Sequence, residues 1–149
     1  MQQRRDTGRR SEAAPKRSEI ERLLRDAYAA RMRGDTDAVC ACFAEAPHFA
    51  IAGAQQTSPI PVKVAERNAF RSLMDGLIKT FDFRDHEILS MVIDGSKAAV
   101  HWRVRVRAAP TGEEAVTEIV DVVTVENGKI ASFVEFCDTA LAARLMGQG

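Results

Sequence analysis

A chain of 149 residues, 46% hydrophobic and 28% charged, can bury one sizeable core and is too short for two comfortable ones. Lys plus Arg balances Asp plus Glu at 21 each, which excludes a global field drawing the molecule to nucleic acid or an acidic membrane surface. There is no run of about 18 apolar residues for a membrane span and no apolar leader after the Arg-rich start. Three cysteines without a CxxC spacing suit a reducing compartment, so the chain reads as cytoplasmic.

Charge is uneven along the chain, with six basic and two acidic groups in residues 1–18. Residues 1–17, MQQRRDTGRRSEAAPKR, lack apolar periodicity and read as a disordered basic arm, leaving 18–149 as a single domain. Ser18 and Glu21 have the spacing of a capping box. Ile20, Leu23, Leu24, Ala27 and Tyr28 then form one helical face, stopped at Gly34. Asp35 or Thr36 caps a shorter helix with Val39, Cys42 and Phe43 inward and Pro47 at its end. Cys40 and Cys42 point in different directions on that helix and read as small core fillers. HFAIAG, residues 48–53, is a short strand, and AQQTSPIPV is a polar loop. A third helix over 66–81 repeats the apolar face at Phe70, Leu73, Met74, Leu77, Ile78 and Phe81.

Strand-like runs follow, EILSMVI, AAVHWRVRVRA, AVTEIVDVVTVE and KIASFVEF, separated by Asp94-Gly95, Pro110-Thr111-Gly112 and Asn127-Gly128. They predict a four-strand antiparallel meander. In the second run Val100, Trp102, Val104 and Val106 alternate with His101, Arg103, Arg105 and Arg107. The apolar set faces a core or pocket, and the arginine row reads as a solvated face paired with acids such as Glu118. Asp138 or Thr139 caps a last helical turn or two. Helices packed on one face of a curved meander make an α+β fold with a conical space between the layers.

YAARMRGDTDAVCACFAEAPHFAIAG early and VDVVTVENGKIASFVEFCDT late resemble the NTF2-like superfamily in its SnoaL-like and ketosteroid-isomerase-like branch. The resemblance covers residues 18–146. It implies a cone-shaped, cystatin-like α+β fold in which helices pack on a strongly curved, mainly antiparallel sheet and enclose a pocket. The family hosts isomerases, cyclases, dehydratases, epoxide hydrolases and non-catalytic modules, so the fold does not select a reaction. Asp121 looks like the isomerases' neutral oxyanion donor, whereas their general base falls at Ile51 and their helix-one tyrosine at Ala27, one place from Tyr28. Glu135 looks like the final-strand aspartate of the limonene epoxide hydrolases, whose Arg-x-Asp is not reproduced by Arg103-Val104-Arg105 or Arg105-Val106-Arg107.

The turn leaves two registers open. A two-residue Asn127-Gly128 turn sets Asp121 opposite Val134 and the acids on opposite faces. A three-residue loop sets Asp121 opposite Phe133 and both acids on one face, which is what the resemblance implies. Paired acids in an apolar pocket supply a proton donor and a base, the roles assigned here to Asp121 and Glu135. Tyr28, His48, Trp102, Val104 and Phe133 complete the expected pocket around a small apolar molecule. His48, His86 and His101 lack metal-ligand spacing, and neither metal nor cofactor is expected. Val120, Val122, Ile130, Val134 and Phe136 form an apolar set opposite the acids and predict a homodimer.

Overall fold

The computed structural model describes residues 16–54, 60 and 62–147. The basic arm lies almost wholly outside them. Its last residue, Arg17, opens helix α1 (Arg17–Arg33), so the helix starts earlier than the Ser18 box predicts. The reciprocal contact falls on Lys16, whose backbone N–H donates to Glu19 Oε1 at 3.2 Å, and Arg17 Nη1 donates to the Ile93 carbonyl at 3.1 Å. The apolar stripe buries Ile20, Leu24, Ala27 and Tyr28. Gly34, at φ 73°, closes the helix with its N–H on the Ala30 and Arg31 carbonyls, a left-handed cap that disfavours a side chain.

Asp35 caps α2 (Thr36–Ala41) by accepting from Ala38 N. This helix is shorter than the sequence suggests, because Phe43 through Pro47 belong to strand β1 (Phe43–Ile51). Pro47 sits where the pairing of β1 slips between Phe43 and His48, a position that needs no ladder N–H. A short edge strand, β2 (Val62–Val64), pairs with β1 and was not legible in the Pro-containing loop. Helix α3 (Arg67–Thr80) is capped by the Glu66 carboxylate, which accepts from Asn68 N and Ala69 N. It passes without a loop into β3 (Phe81–Asp94), then β4 (Lys97–Ala108), β5 (Glu114–Glu126) and β6 (Lys129–Phe136). Asp138 caps the final helix α4 (Thr139–Leu145).

The six strands form one curved, unclosed sheet in the order β2-β1-β6-β5-β4-β3. Every neighbouring pair is antiparallel except β1 with β6, which run parallel. The helices cover its concave face, and the core lies between them.

The β5–β6 hairpin follows neither register drawn from the sequence. Asn127 (φ 51°) and Gly128 (φ 76°) form a two-residue turn with Glu126 opposite Lys129. Val125 pairs with Ile130, but Thr124 pairs with Ser132, so Ala131 is an extra residue on β6. This bulge flips the parity of everything beyond it. Ile130 therefore turns into the core, fully buried, and leaves the apolar outer set, while Asp121 comes directly opposite Glu135 on the inner face.

Candidate functional site

The space between the helices and the concave face is a cavity of about 370 Å³. One end of its wall is phenylalanine: Phe43, Phe49 and Phe133 pack with Phe70 behind them, and the Phe49 and Phe133 rings stack at 5.5 Å. Ile51 is apolar wall, so no carboxylate occupies the place of the isomerases' base. Period two turns the neighbouring His48 to the other side of β1, with Nδ1 3.5 Å from Ser132 Oγ, and removes it from the expected wall. Val104 shares the inner face of β4 but is enclosed in the core, also off the wall.

The other end is polar and tightly packed. Tyr28, Trp102 and Glu135 line it, and behind them His86 stacks on Tyr28 at 5.0 Å and lies tilted against Trp102 at 4.9 Å. Beneath them Asp121 is 0% exposed and does not reach the cavity wall. Its Oδ2 accepts from Tyr28 Oη at 2.5 Å and from Trp102 Nε1 at 2.7 Å. Tyr28 thus reaches Asp121 despite being one place off the family's tyrosine position, since its hydroxyl spans to the middle of the sheet.

Asp121 Oδ1 is buried and meets no N–H or O–H donor among the described residues. The remaining neighbour is the Glu135 carboxyl across the ladder, and two carboxyl oxygens can share a contact only through a proton. Burial first, then the Glu135 charge, raises the Asp121 carboxyl well above its ordinary range, against the lowering effect of Tyr28. Glu135 is also raised by burial, but the hydrogen bond from Asp121 and the charge of Arg31 pull it back down. Both carboxyls are thus raised, Asp121 the more strongly opposed to ionising, and the pair holds a proton that two separate carboxyls would release; Glu135 is the member that faces the cavity.

Arg31 is the group that the sequence reading missed. It continues the apolar stripe of α1 three residues after Tyr28, so a cation on a buried face was the available signal. It lines the cavity, with Nη2 donating to the Leu77 and Phe81 carbonyls and its guanidinium 3.9 Å from the centre of the Phe83 ring. Burial lowers it to about 10, so it stays charged at neutral pH. Cys137, also on the wall, is pushed up by burial to about 12, which disfavours its thiolate. No cluster of His, Cys, Asp and Glu among the described residues could hold a metal ion.

Comparison with curated proteins finds no match. Solved structures share the fold. An NTF2-like protein from Burkholderia pseudomallei is 20% identical, with 86% of this chain and 97% of that one covered at a TM-score of 0.74. An LEH-like epoxide hydrolase from M. tuberculosis is 15% identical, with 89% and 99% covered at 0.68. TsrD from Streptomyces laurentii is 17% identical, with 91% and 99% covered at 0.71. With the cone-shaped α+β architecture in place and the SnoaL-like domain model matching residues 24–133, the chain belongs to the SnoaL-like family within the NTF2-like superfamily.

Proposed function

We propose that the protein is a small-molecule enzyme performing cofactor-free acid/base chemistry on an apolar substrate, with Glu135 as the base. The observation that carries this is a single arrangement: Glu135 on the wall of a largely apolar cavity, backed by a second acid buried beneath it. Asp121 keeps a proton, donates it as a hydrogen bond to Glu135 and fixes that carboxylate toward the cavity. Because it has no cavity surface, it is a positioning residue rather than the group that gives a proton to substrate.

The test uses the full chain in D2O with a panel of apolar ketones and epoxides, read by mass spectrometry for deuterium uptake and ring opening. Turnover by the wild type should fall about 100-fold or more in Glu135→Gln. Equal turnover in both would remove Glu135 as the base, and no turnover above background in either would favour the second reading, a non-catalytic ligand-binding or dimerisation module, which the apolar Ile51 and the sealed Asp121 support.

The proposed assembly is a homodimer through the outer face of β5 and β6. Val122 and Phe136 are 43% and 50% exposed there, with Val120 and Val134 beside them. Val122→Glu should convert a dimer to a monomer in light scattering; a wild type monomeric at high micromolar concentration would end this reading. The three unpaired thiols fit a reducing, cytoplasmic setting, and no helix among the described residues is long and apolar enough to cross a membrane.

A further inference from the structure

Gly76 stands in the middle of α3 on the cavity wall, and the fold around it does not ask for a glycine. Gly34 answers to a left-handed backbone at φ 73°, whereas Gly76 is an ordinary right-handed helical residue. A Cβ at Gly76 would meet no atom of the described residues within 4 Å, so no close approach excludes a side chain. Glycine loses more backbone freedom on folding than any other residue and weakens a helix interior relative to alanine. The position costs α3 stability without a return in packing. What the missing side chain leaves free is the opening of the cavity. At about 100° per residue, the wall residues of α3 follow one another around the helix as Ser72, Gly76, Thr80, Leu73, Leu77 and Met74, so Gly76 lies between two residues that both line the space. Ser72, Gly76 and Asp138, the cap of α4, are the exposed residues of the wall among those described. The mouth therefore lies between the middle of α3 and the start of α4, where Leu141 and Ala142 add half-buried apolar surface.

We propose that Gly76 is a specificity-determining residue, which keeps the mouth open so that a ligand whose head fills the cavity can carry a slender hydrocarbon arm out between α3 and α4. This rests on the cavity taking an apolar molecule, which both readings above share, and not on any reaction of Glu135. The two lips of the mouth select the kind of arm. On the α4 side Leu141 and Ala142 offer apolar surface that is partly wet, and a methylene chain laid on it removes that surface from water. On the α3 side the bare backbone at Gly76 lets the chain pass at van der Waals distance. A polar or charged arm would gain nothing from Leu141 and Ala142 and would stay in water. A compact ligand held wholly inside would need no opening, and a side chain at position 76 would seal it in without loss.

The test titrates the full chain with 4-methyl-, 4-butyl- and 4-hexylbenzyl alcohol, neutral probes with one head and a lengthening arm. Calorimetry gives Kd, and the emission of Trp102, the single tryptophan of the chain and a wall residue, reports entry of the head. Wild-type Kd should tighten about twofold for each added methylene, the square root of the factor for full burial because the lip is half wet. Gly76→Leu should bind the methyl probe as wild type does and hold the hexyl probe about 10-fold more weakly than wild type. Gly76→Ala should melt a few degrees higher and lose less of the hexyl affinity, since it restores helix propensity with little bulk. Should Gly76→Leu fail to fold, Ser72→Leu puts the same bulk on the neighbouring exposed position of that lip and is read with the same series. The proposal is overturned if the leucine variant binds all three probes as wild type does, or weakens all three equally. It is equally overturned if wild-type affinity does not rise with arm length, if the longer probes bind without changing Trp102 emission, or if none binds. Because none of the probes has to react, its failure leaves the acid/base reading to the Glu135→Gln turnover assay.

Discussion

The two faces of the β4–β5–β6 sheet treat charge in opposite ways. On the outer face Arg103 reaches Glu87 at 2.7 Å, Arg105 reaches Asp85 at 3.0 Å and His101 reaches Glu118 at 2.7 Å, all partly exposed. On the inner face Asp121 and Glu135 meet each other, with two neutral donors on one side and a single clamped arginine across the cavity. Water solvates the outer groups before and after pairing, so each pair contributes below about 1 kcal/mol. Inside, no water compensates, and the acids settle by dividing a proton and a charge between them. The same residue types therefore act as solvated surface in one layer and as a buried, proton-sharing pair in the next.

Truncating the inner layer should have the largest effect. Trp102→Ala removes a buried indole and one of the two donors to Asp121, and should destabilise by about 3–5 kcal/mol in denaturant titration. An effect no larger than that of an outer-face arginine would erase the contrast between the faces.

Asp121→Asn should act through pH. Below the unfolded value of 3.8 both folded and unfolded states hold the proton. Above it the unfolded chain releases the proton while the folded chain keeps it, so wild-type stability falls by about 1.4 kcal/mol per pH unit until the raised folded value is passed. Glu135, shifted in the same direction, adds to the fall. Asparagine still accepts from Tyr28 and Trp102 and still donates to Glu135, but cannot titrate. Its stability should decline less with pH, giving a relative gain at alkaline pH by thermal melts; parallel curves would mean that Asp121 is ionised in the fold.

Arg103→Ala marks the small end. Melts should show a loss below about 1 kcal/mol that shrinks further in salt. A loss of several kcal/mol would mean that the outer face is covered, as it would be if the dimer extends across β4.

Much of this was legible locally. The stripe of α1, the strict alternation of Val100 to Arg107, the Asn127-Gly128 turn and the pair of acids in an apolar run are properties of neighbouring residues, so the long helices, the meander strands and the inner and outer sets of β4 could be read from them. Other features depend on partners far along the chain. Phe43 to Pro47 become a strand because β6, more than 80 residues later, supplies the ladder, and β3 begins at Phe81 because Ala108 pairs with it. The bulge at Ala131 adds one unpaired residue, and with a side-chain period of two that single residue decides whether Asp121 and Glu135 face each other. Arg31 was visible as a cation on an apolar stripe, but its standing opposite Glu135 exists only once helix and sheet have closed around the cavity. Periodicity is written in adjacent residues; register and the shape of an enclosed space are settled by contacts between distant ones, which form only when the chain has folded.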